Sequence, residues 1–192
     1  NGCSRCCHGM GNSIILDPYD VYRMTTGMGK SMQELLAASV ELNVVDGVIL
    51  PNLKMQGTKE ACAYLDEEGR CSIHPYRPGI CRLFPLGRYY ENGGFSYFLQ
   101  TGECAKENRS KIKVSKWIDT PDLTRNQQFT LQWHDLLHAM EERLTGEDEG
   151  KQREENLLLL RLFYLLPYEG TIDFYTQFTE RMEHWNGQNG QI

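Results

Sequence analysis

Seven cysteines constrain this chain more than any other feature of its sequence. They fall into two groups, one at the beginning of the chain and one in its middle: Cys3, Cys6 and Cys7, then Cys62, Cys71, Cys81 and Cys104. A chain of 192 residues can bury a hydrophobic core that is stable without covalent cross-links. The odd number of thiols and the adjacent pair also argue against a framework of structural disulfides. We therefore predict that the two groups close around a metal or an iron–sulfur cluster.

The spacing of the cysteines bears on which metal they bind. Thiolate sulfur ligates both zinc and iron–sulfur clusters. A zinc ribbon usually offers two Cys-x2-Cys pairs, whereas only Cys3 and Cys6 have that spacing here. Side chains of adjacent residues tend to point in different directions, so Cys6 and Cys7 suit a larger cluster, or two metal sites, better than one small ion. We predict an iron–sulfur cluster of the 4Fe-4S type, with zinc as the alternative.

Two arginines stand close to one of these thiols. Arg77 and Arg82 flank Cys81 and bring positive charge to a site that thiolates make negative. We predict that they bind the cofactor, either by stabilising thiolate or cluster charge or by holding an anionic group of a substrate. Ion pairs with the acidic stretch 66–68 are the alternative. Among the histidines, the pair at 134 and 138 has helical spacing, but the leucines around it favour a partly exposed helix face over a metal site.

Helices are signalled by caps and by apolar periodicity. Asp17 before Pro18 predicts a helix start, and the helix ends near Gly27. Ser31 with Glu34 forms a capping box, which predicts a second helix. After residue 111 the sequence contains no cysteine, and apolar spacing predicts three further helices, over residues 126–144, 151–166 and 172–185.

Strands are predicted only in the cysteine-rich part of the chain. Residues 44–55 are β-branched and apolar, and they predict one strand with a break at Pro51. Residues 60–73 predict a hairpin that holds Cys62 and Cys71 on adjacent arms, so that both thiols reach one centre.

These elements together predict the fold class. A short helix or turn delivers Cys81, and residues 95–100 form a further strand that follows an Asn-Gly-Gly turn. We predict an α+β, mostly helical fold with two regions packed into one compact unit. Residues 1–110 form a cysteine-cluster metal-binding region with a few short strands, and residues 111–192 form a helical region.

Charge and hydropathy exclude two classes of partner. The formal net charge of −6 is dispersed, without the basic stripe that binding to a phosphate backbone requires. Purely apolar runs such as residues 157–160 are far shorter than the ~20 residues that span a bilayer. We therefore expect a cytoplasmic protein with neither a nucleic acid nor a membrane as partner; a protein partner or substrate stays open.

A set of short motifs resembles the YkgJ-type cysteine-cluster family, which is described as a zinc- or iron-chelating domain and includes flagellin lysine N-methylases. The motifs lie within residues 1–105: Cys3-x2-Cys6-Cys7, Leu16-x-Pro18-x-Asp20-Val21-x-Arg23-Met24, Cys62-x2-Leu65, Cys71-x-Ile73 and Arg77-Pro78-x2-Cys81-Arg82-x-Phe84-Pro85. The family signature would place a further cysteine immediately before Asn1, and His74 stands where the family commonly has an aromatic residue.

The resemblance implies metal binding and leaves three functions open. The first is a redox or accessory module that holds an iron–sulfur cluster. The second is a metal-dependent enzyme that methylates protein lysines, which only the resemblance suggests. The third is a structural zinc domain, in which the metal ties the N-terminal loop to the 62–104 stretch.

Overall fold

The computed structural model of the protein describes residues 4–103 and 111–189. The structure is 49% helix and 18% strand by residue, which confirms the predicted α+β, mostly helical fold. In these ranges the α-helices are α1 (Pro18–Met28), α2 (Met32–Ala38), α3 (Gly79–Leu83), α4 (Val114–Ile118), α5 (Leu123–Leu144), α6 (Glu149–Leu160) and α7 (Phe174–Asn189). The strands are β1 (Val40–Val45), β2 (Val48–Leu53), β3 (Met55–Gln56), β4 (Ala61–Cys62), β5 (Leu86–Glu91) and β6 (Gly94–Leu99). Consecutive strands pair into antiparallel two-stranded sheets.

The first two helices begin where their caps predict. The Asp17 carboxylate accepts a hydrogen bond from the backbone N–H of Asp20 at 2.8 Å, and the Asp20 carboxylate accepts one from the N–H of Asp17 at 3.2 Å. The same reciprocal pair joins Ser31 and Glu34 at the start of α2. Each capping box satisfies backbone N–H groups that lack a partner within the helix. Both predicted helix starts are confirmed.

The prediction of one strand over residues 44–55 with a break at Pro51 was only partly correct, because these residues belong to more than one strand. The segment contains the turn of the β1–β2 hairpin, in which Asp46 and Gly47 have φ angles of 51° and 82°. An Asp-Gly pair between β-branched residues is a strong hairpin signal because both turn positions require positive φ. Pro51 does not break the sheet; it pairs with Leu42 inside β2, where a two-stranded sheet tolerates its missing N–H.

The predicted hairpin over residues 60–73 was only partly correct. Its turn is present, because the carboxylate of Asp66 accepts a hydrogen bond from the N–H of Arg70 at 2.7 Å. The arms are not regular strands, since only an isolated bridge joins Leu65 to Cys71 and β4 pairs instead with β3. Cys62 and Cys71 therefore approach through a looped connection.

The remaining predicted elements are confirmed. β6 follows β5 through a turn at Asn92 and Gly93, α3 carries Cys81, and three long helices follow residue 111. The sequence reasoning missed α4, and α6 continues into a π-helical segment, Arg161–Leu165. None of the helices in the described ranges combines the length and hydropathy that crossing a bilayer requires.

The hydrophobic core contains residues from both sides of position 110. Phe129 of α5 packs edge-on against Phe174 and Phe178 of α7, with ring centroids 5.1 and 4.8 Å apart. The buried hydroxyl of Tyr164 donates a hydrogen bond to the carbonyl of Leu16 at 3.0 Å, which ties the C-terminal helices to the segment before α1. The division at residue 110 stays a prediction.

Two leucines on α6 offer a matched test of this core. Leu159 is fully buried, whereas Leu157, two residues earlier, is 54% exposed. We expect Leu159→Ala to lower the free energy of unfolding by about 2–5 kcal/mol through lost burial and a residual cavity. Leu157→Ala should change it by less than about 0.5 kcal/mol. Urea denaturation followed by circular dichroism measures both, and equal effects would contradict this packing.

Candidate metal centre

The five cysteines in the described ranges line one cavity of about 510 Å³. All five are free thiols, and each is partly buried. They come from separate pieces of chain: a 3-10 turn at Arg5–Cys7, strand β4, the end of the Asp66 turn, and helix α3. Residues far apart in sequence therefore meet here, as the cysteine pattern predicts: Cys6, Cys7, Cys62, Cys71 and Cys81.

A backbone contact places the N-terminal thiols beside Cys62. The N–H of Gly9 donates to the carbonyl of Glu60 at 2.9 Å, and His8 forms an antiparallel bridge with Ala61. Gly9 has a φ of 64°, which turns the loop back on itself at little cost for a residue without a side chain. The loop that carries Cys6 and Cys7 thus lies against the strand that carries Cys62.

Helix α1 positions the segment that runs from Cys71 to Cys81. The buried carboxylate of Asp20 accepts a hydrogen bond from the N–H of Gly79 at 2.6 Å, at the start of α3. One turn further on, the guanidinium of Arg23 donates to the carbonyl of Pro75. A second turn on, Gly27 leaves room for the ring of Tyr76, which a Cβ at position 27 would overlap.

Asp17 and Asp20 form a pair of carboxyls beneath this segment. Burial raises the pKa of Asp17 to about 6, although backbone hydrogen bonds and the charge of Arg88 act in the opposite direction. Burial and the neighbouring Asp17 raise the pKa of Asp20 well above its usual value. The protonation of this pair therefore affects the stability of the folded protein.

The electrostatic environment divides the thiols into two kinds. A hydrogen bond from Cys7 lowers the pKa of Cys6 to about 6, and the charge of Arg77 contributes a smaller part. The same hydrogen bond, together with burial, raises the pKa of Cys7. Burial also raises the pKa values of Cys62, Cys71 and Cys81. Cys6 is thus the thiol that loses its proton most readily, and a bound cation would release the protons of the others.

The two predicted cofactor-binding arginines occupy different surroundings. Arg77 lines the thiol cavity, and its Nη1 lies 3.0 Å from Nε2 of His74. Arg82 is only 6% exposed and does not line this cavity. Its guanidinium donates to the backbone carbonyls of Pro75, Arg77 and Asp119 at 2.7, 3.2 and 2.9 Å. A role in binding the cofactor stays a prediction for both residues.

Two predicted ligands, Cys3 and Cys104, lie outside the described residues. Within the described ranges no three histidine, cysteine, aspartate or glutamate side chains lie close enough together to hold one metal ion. The histidine pair on α5 lies elsewhere: His134 stacks on Tyr90 with ring centroids 3.8 Å apart, and His138 contacts Glu141 at its partly exposed surface.

The sequence reasoning did not assign Asp20 and Arg23 to the site. Both stand inside the motif Leu16 to Met24 that carries the family resemblance, which was the available signal. Their spacing of three places them on the same face of α1. Helix periodicity alone does not indicate that this face meets the cysteine segment.

Thiols from distant segments that converge on one cavity define a class of protein that binds metals through cysteine sulfur. A comparison with known families matches residues 1–110 to the CxxCxxCC family, described as a putative zinc- or iron-chelating domain. The chain belongs to this family. In the same comparisons, no curated protein and no solved structure matched. The donor set fits the family description, because thiolates bind both zinc and iron.

The contact between Gly27 and Tyr76 can be tested by a single methyl group. We expect Gly27→Ala to lower the free energy of unfolding by about 1–3 kcal/mol, because the added Cβ displaces the Tyr76 ring. The control is Gly187→Ala in α7, where no atom lies within 4 Å of the added Cβ. That variant should gain up to about 1 kcal/mol from helix propensity. A gain in both variants, measured by urea denaturation, would show that α1 and Tyr76 are not in close contact.

The pKa of Asp17 predicts a pH dependence of stability. The usual pKa of an aspartate is 3.8, and that of Asp17 in the folded protein is about 6. At pH values between these two, the Asp17 carboxyl binds more protons in the folded protein than in the unfolded chain. The stability that protonated Asp17 contributes is therefore fully present below pH 3.8 and is lost as the pH rises through about 6.

Asp17→Asn keeps an N-cap acceptor but does not titrate. We expect the difference in unfolding free energy, wild type minus variant, to fall as pH rises across this window. Urea denaturation at several pH values measures it, and a difference that rises or stays constant would contradict the assignment. Because both proteins carry the same thiols, pH effects on metal binding cancel in the comparison.

Proposed function

We propose that this metal-binding protein holds an iron–sulfur cluster of the 4Fe-4S type in the thiol cavity and has a redox or accessory role. The observation that carries the proposal is that five thiols line one cavity of about 510 Å³. A structural zinc ion gathers four ligands on one atom, whereas in the described ranges no three candidate side chains lie close enough together to hold one ion. A cluster has several metal atoms at which cysteines can bind.

The surroundings of the cavity suit a cofactor that carries negative charge. Arg77 lines the cavity; its charge adds to the hydrogen bond from Cys7 that lowers the pKa of Cys6, and it partly offsets the burial that raises the pKa of Cys71. Each thiolate that binds iron adds a negative charge, so a fixed guanidinium stabilises the ligated form. Cys6, whose pKa is lowered to about 6, is the thiol most readily available as a thiolate to an incoming metal.

Apolar side chains form part of the wall of the cavity. Ile14 and Leu53 lie on the core side, and Phe84 and Trp117 lie near α3. The indole N–H of Trp117 donates to the carbonyls of Leu83 and Phe84 at 3.2 and 3.1 Å, which fixes α4 against the end of α3. When bound, a cluster would supply one-electron redox chemistry, and this apolar wall would tune its reduction potential by excluding solvent.

The test is metal and acid-labile sulfide analysis of protein purified without oxygen, together with its visible absorption spectrum. The proposal expects iron and sulfide in comparable amounts and a brown chromophore. Stoichiometric zinc in colourless protein would refute the cluster and favour the second candidate, structural zinc, which the family description includes. In that case chelation should unfold the protein without any redox signal.

Substitution of single thiols tests the ligand assignment. We expect Cys71→Ser and Cys81→Ser each to lower iron content by about tenfold or more, because a hydroxyl is a poor ligand for iron that prefers sulfur. The matched control is Met55→Leu, which changes another side chain of the same cavity at nearly constant volume and should keep full iron content. Iron retained in both serine variants would remove these thiols from the ligand set.

Methyl transfer to protein lysines rests on the family resemblance alone. Its test is mass spectrometry of candidate proteins incubated with the holo protein and S-adenosylmethionine. The same assay tests whether another protein is a substrate of this one.

A further inference from the structure

A second cleft lies beside the thiol cavity. Its volume is about 400 Å³, and three arginines from two parts of the chain line it together with His74 and Thr120. Arg23 comes from α1, whereas Arg77 and Arg82 flank the cysteine of α3. His74 and Arg77 line both the cleft and the thiol cavity, so the two spaces are neighbours.

The positive charge of this cleft is poorly balanced by acidic side chains. In the described part of the chain, Arg23, Arg77 and Arg82 form no salt bridge. Arg23 and Arg82 both donate to the carbonyl of Pro75, and Arg77 contacts the ring of His74. Asp119 is the acidic residue among those that line the cleft. The guanidinium groups therefore hydrogen-bond to neutral partners and repel one another.

Holding three like charges together costs free energy in the absence of a counter-charge. The fold nevertheless fixes them. The guanidinium of Arg82 is buried and uses three backbone carbonyls, and Arg23 is held by a carbonyl across 52 positions of sequence. Two of their nitrogens, Nη1 of Arg23 and Nε of Arg77, have no hydrogen-bond partner among the described residues. An anion would supply the missing charge.

We propose that the arginine cleft, lined by Arg23, His74, Arg77, Arg82 and Thr120, is a binding site for an oxyanion, either a phosphate or a carboxylate group. Arginine presents paired N–H donors that match both groups in a two-point geometry, and several arginines around one concave site are typical of such recognition. The Thr120 hydroxyl donates to the carbonyl of Ile118 only over a long distance, 3.5 Å, so its O–H is available to turn to an anion instead.

The cleft does not need the neighbouring metal in order to bind an anion. If the thiol cavity holds a cofactor, a molecule anchored here by its oxyanion lies next to that cofactor; this second statement rests on the function proposed above. The anion site itself is therefore tested on its own, with metal content measured in the same samples.

Isothermal titration calorimetry on the full chain with its bound metal, at constant ionic strength, tests the site with inorganic phosphate and with acetate as probes. We expect saturable binding of at least one probe with one site per chain. Arg23→Gln should weaken it by about tenfold or more, because a charge-assisted hydrogen bond is lost. Arg23→Lys should have an intermediate effect, since lysine keeps the positive charge but lacks the paired N–H donors of the guanidinium. The tighter of the two probes identifies phosphate or carboxylate as the group recognised.

The matched control is Arg153→Gln, which removes an equal charge from the exposed surface of α6. It should leave the affinity unchanged. The proposal is overturned if neither probe binds saturably, if Arg23→Gln binds as tightly as the wild type, or if Arg153→Gln weakens binding equally. Arg23 does not line the thiol cavity, but it also holds Pro75, which lies between Cys71 and Cys81, so the metal content of each variant is measured beside its affinity. Loss of anion binding with full metal content thus separates this site from the metal centre.

Discussion

The hydrogen bond between the carboxylate of Asp20 and the N–H of Gly79 is the contact on which the site depends most. It joins the first turn of α1 to the start of α3, 59 positions later in the sequence, with donor and acceptor 2.6 Å apart. Because Asp20 is buried, loss of this bond would leave a polar group without water or a partner. The bond therefore holds α3, and with it Cys81, at one place relative to the helix. Arg23 and Gly27 repeat this attachment along the same helix face.

This arrangement creates two adjoining cavities with opposite chemical character. One is lined by thiols and apolar side chains, and the other by arginines. Arg77 belongs to both, so its charge acts on the thiols on one side and adds to the arginine cleft on the other. In this member of the CxxCxxCC family, the candidate metal centre thus lies beside an unbalanced positive surface. Electrostatic attraction between the cleft and an anion, and between thiolates and a cation, would stabilise the ligated forms of each.

Predictions from local chemistry were accurate, and those that required a choice of strand partner were not. Capping boxes and apolar periodicity located α1, α2 and the three long C-terminal helices, because these signals act within a few residues. The β1–β2 hairpin was missed because Pro51 was interpreted as a break, although the Asp46-Gly47 turn was present in the sequence. The pairing of β4 with β3 brings together short strands without a periodic signal of their own.

The sequence by itself determined the chemistry of the site: thiols in two groups, arginines next to one of them, and helices that begin at identifiable caps. Five of the seven thiols lie around one cavity, as the clustering of the cysteines in the sequence predicts for ligands of a thiophilic metal. Only the tertiary structure decided that Arg82 is held by backbone carbonyls outside that cavity and that Arg23 joins it in a second cleft. The physical reason is distance along the chain, because the contacts that place these side chains link residues whose proximity no local pattern encodes.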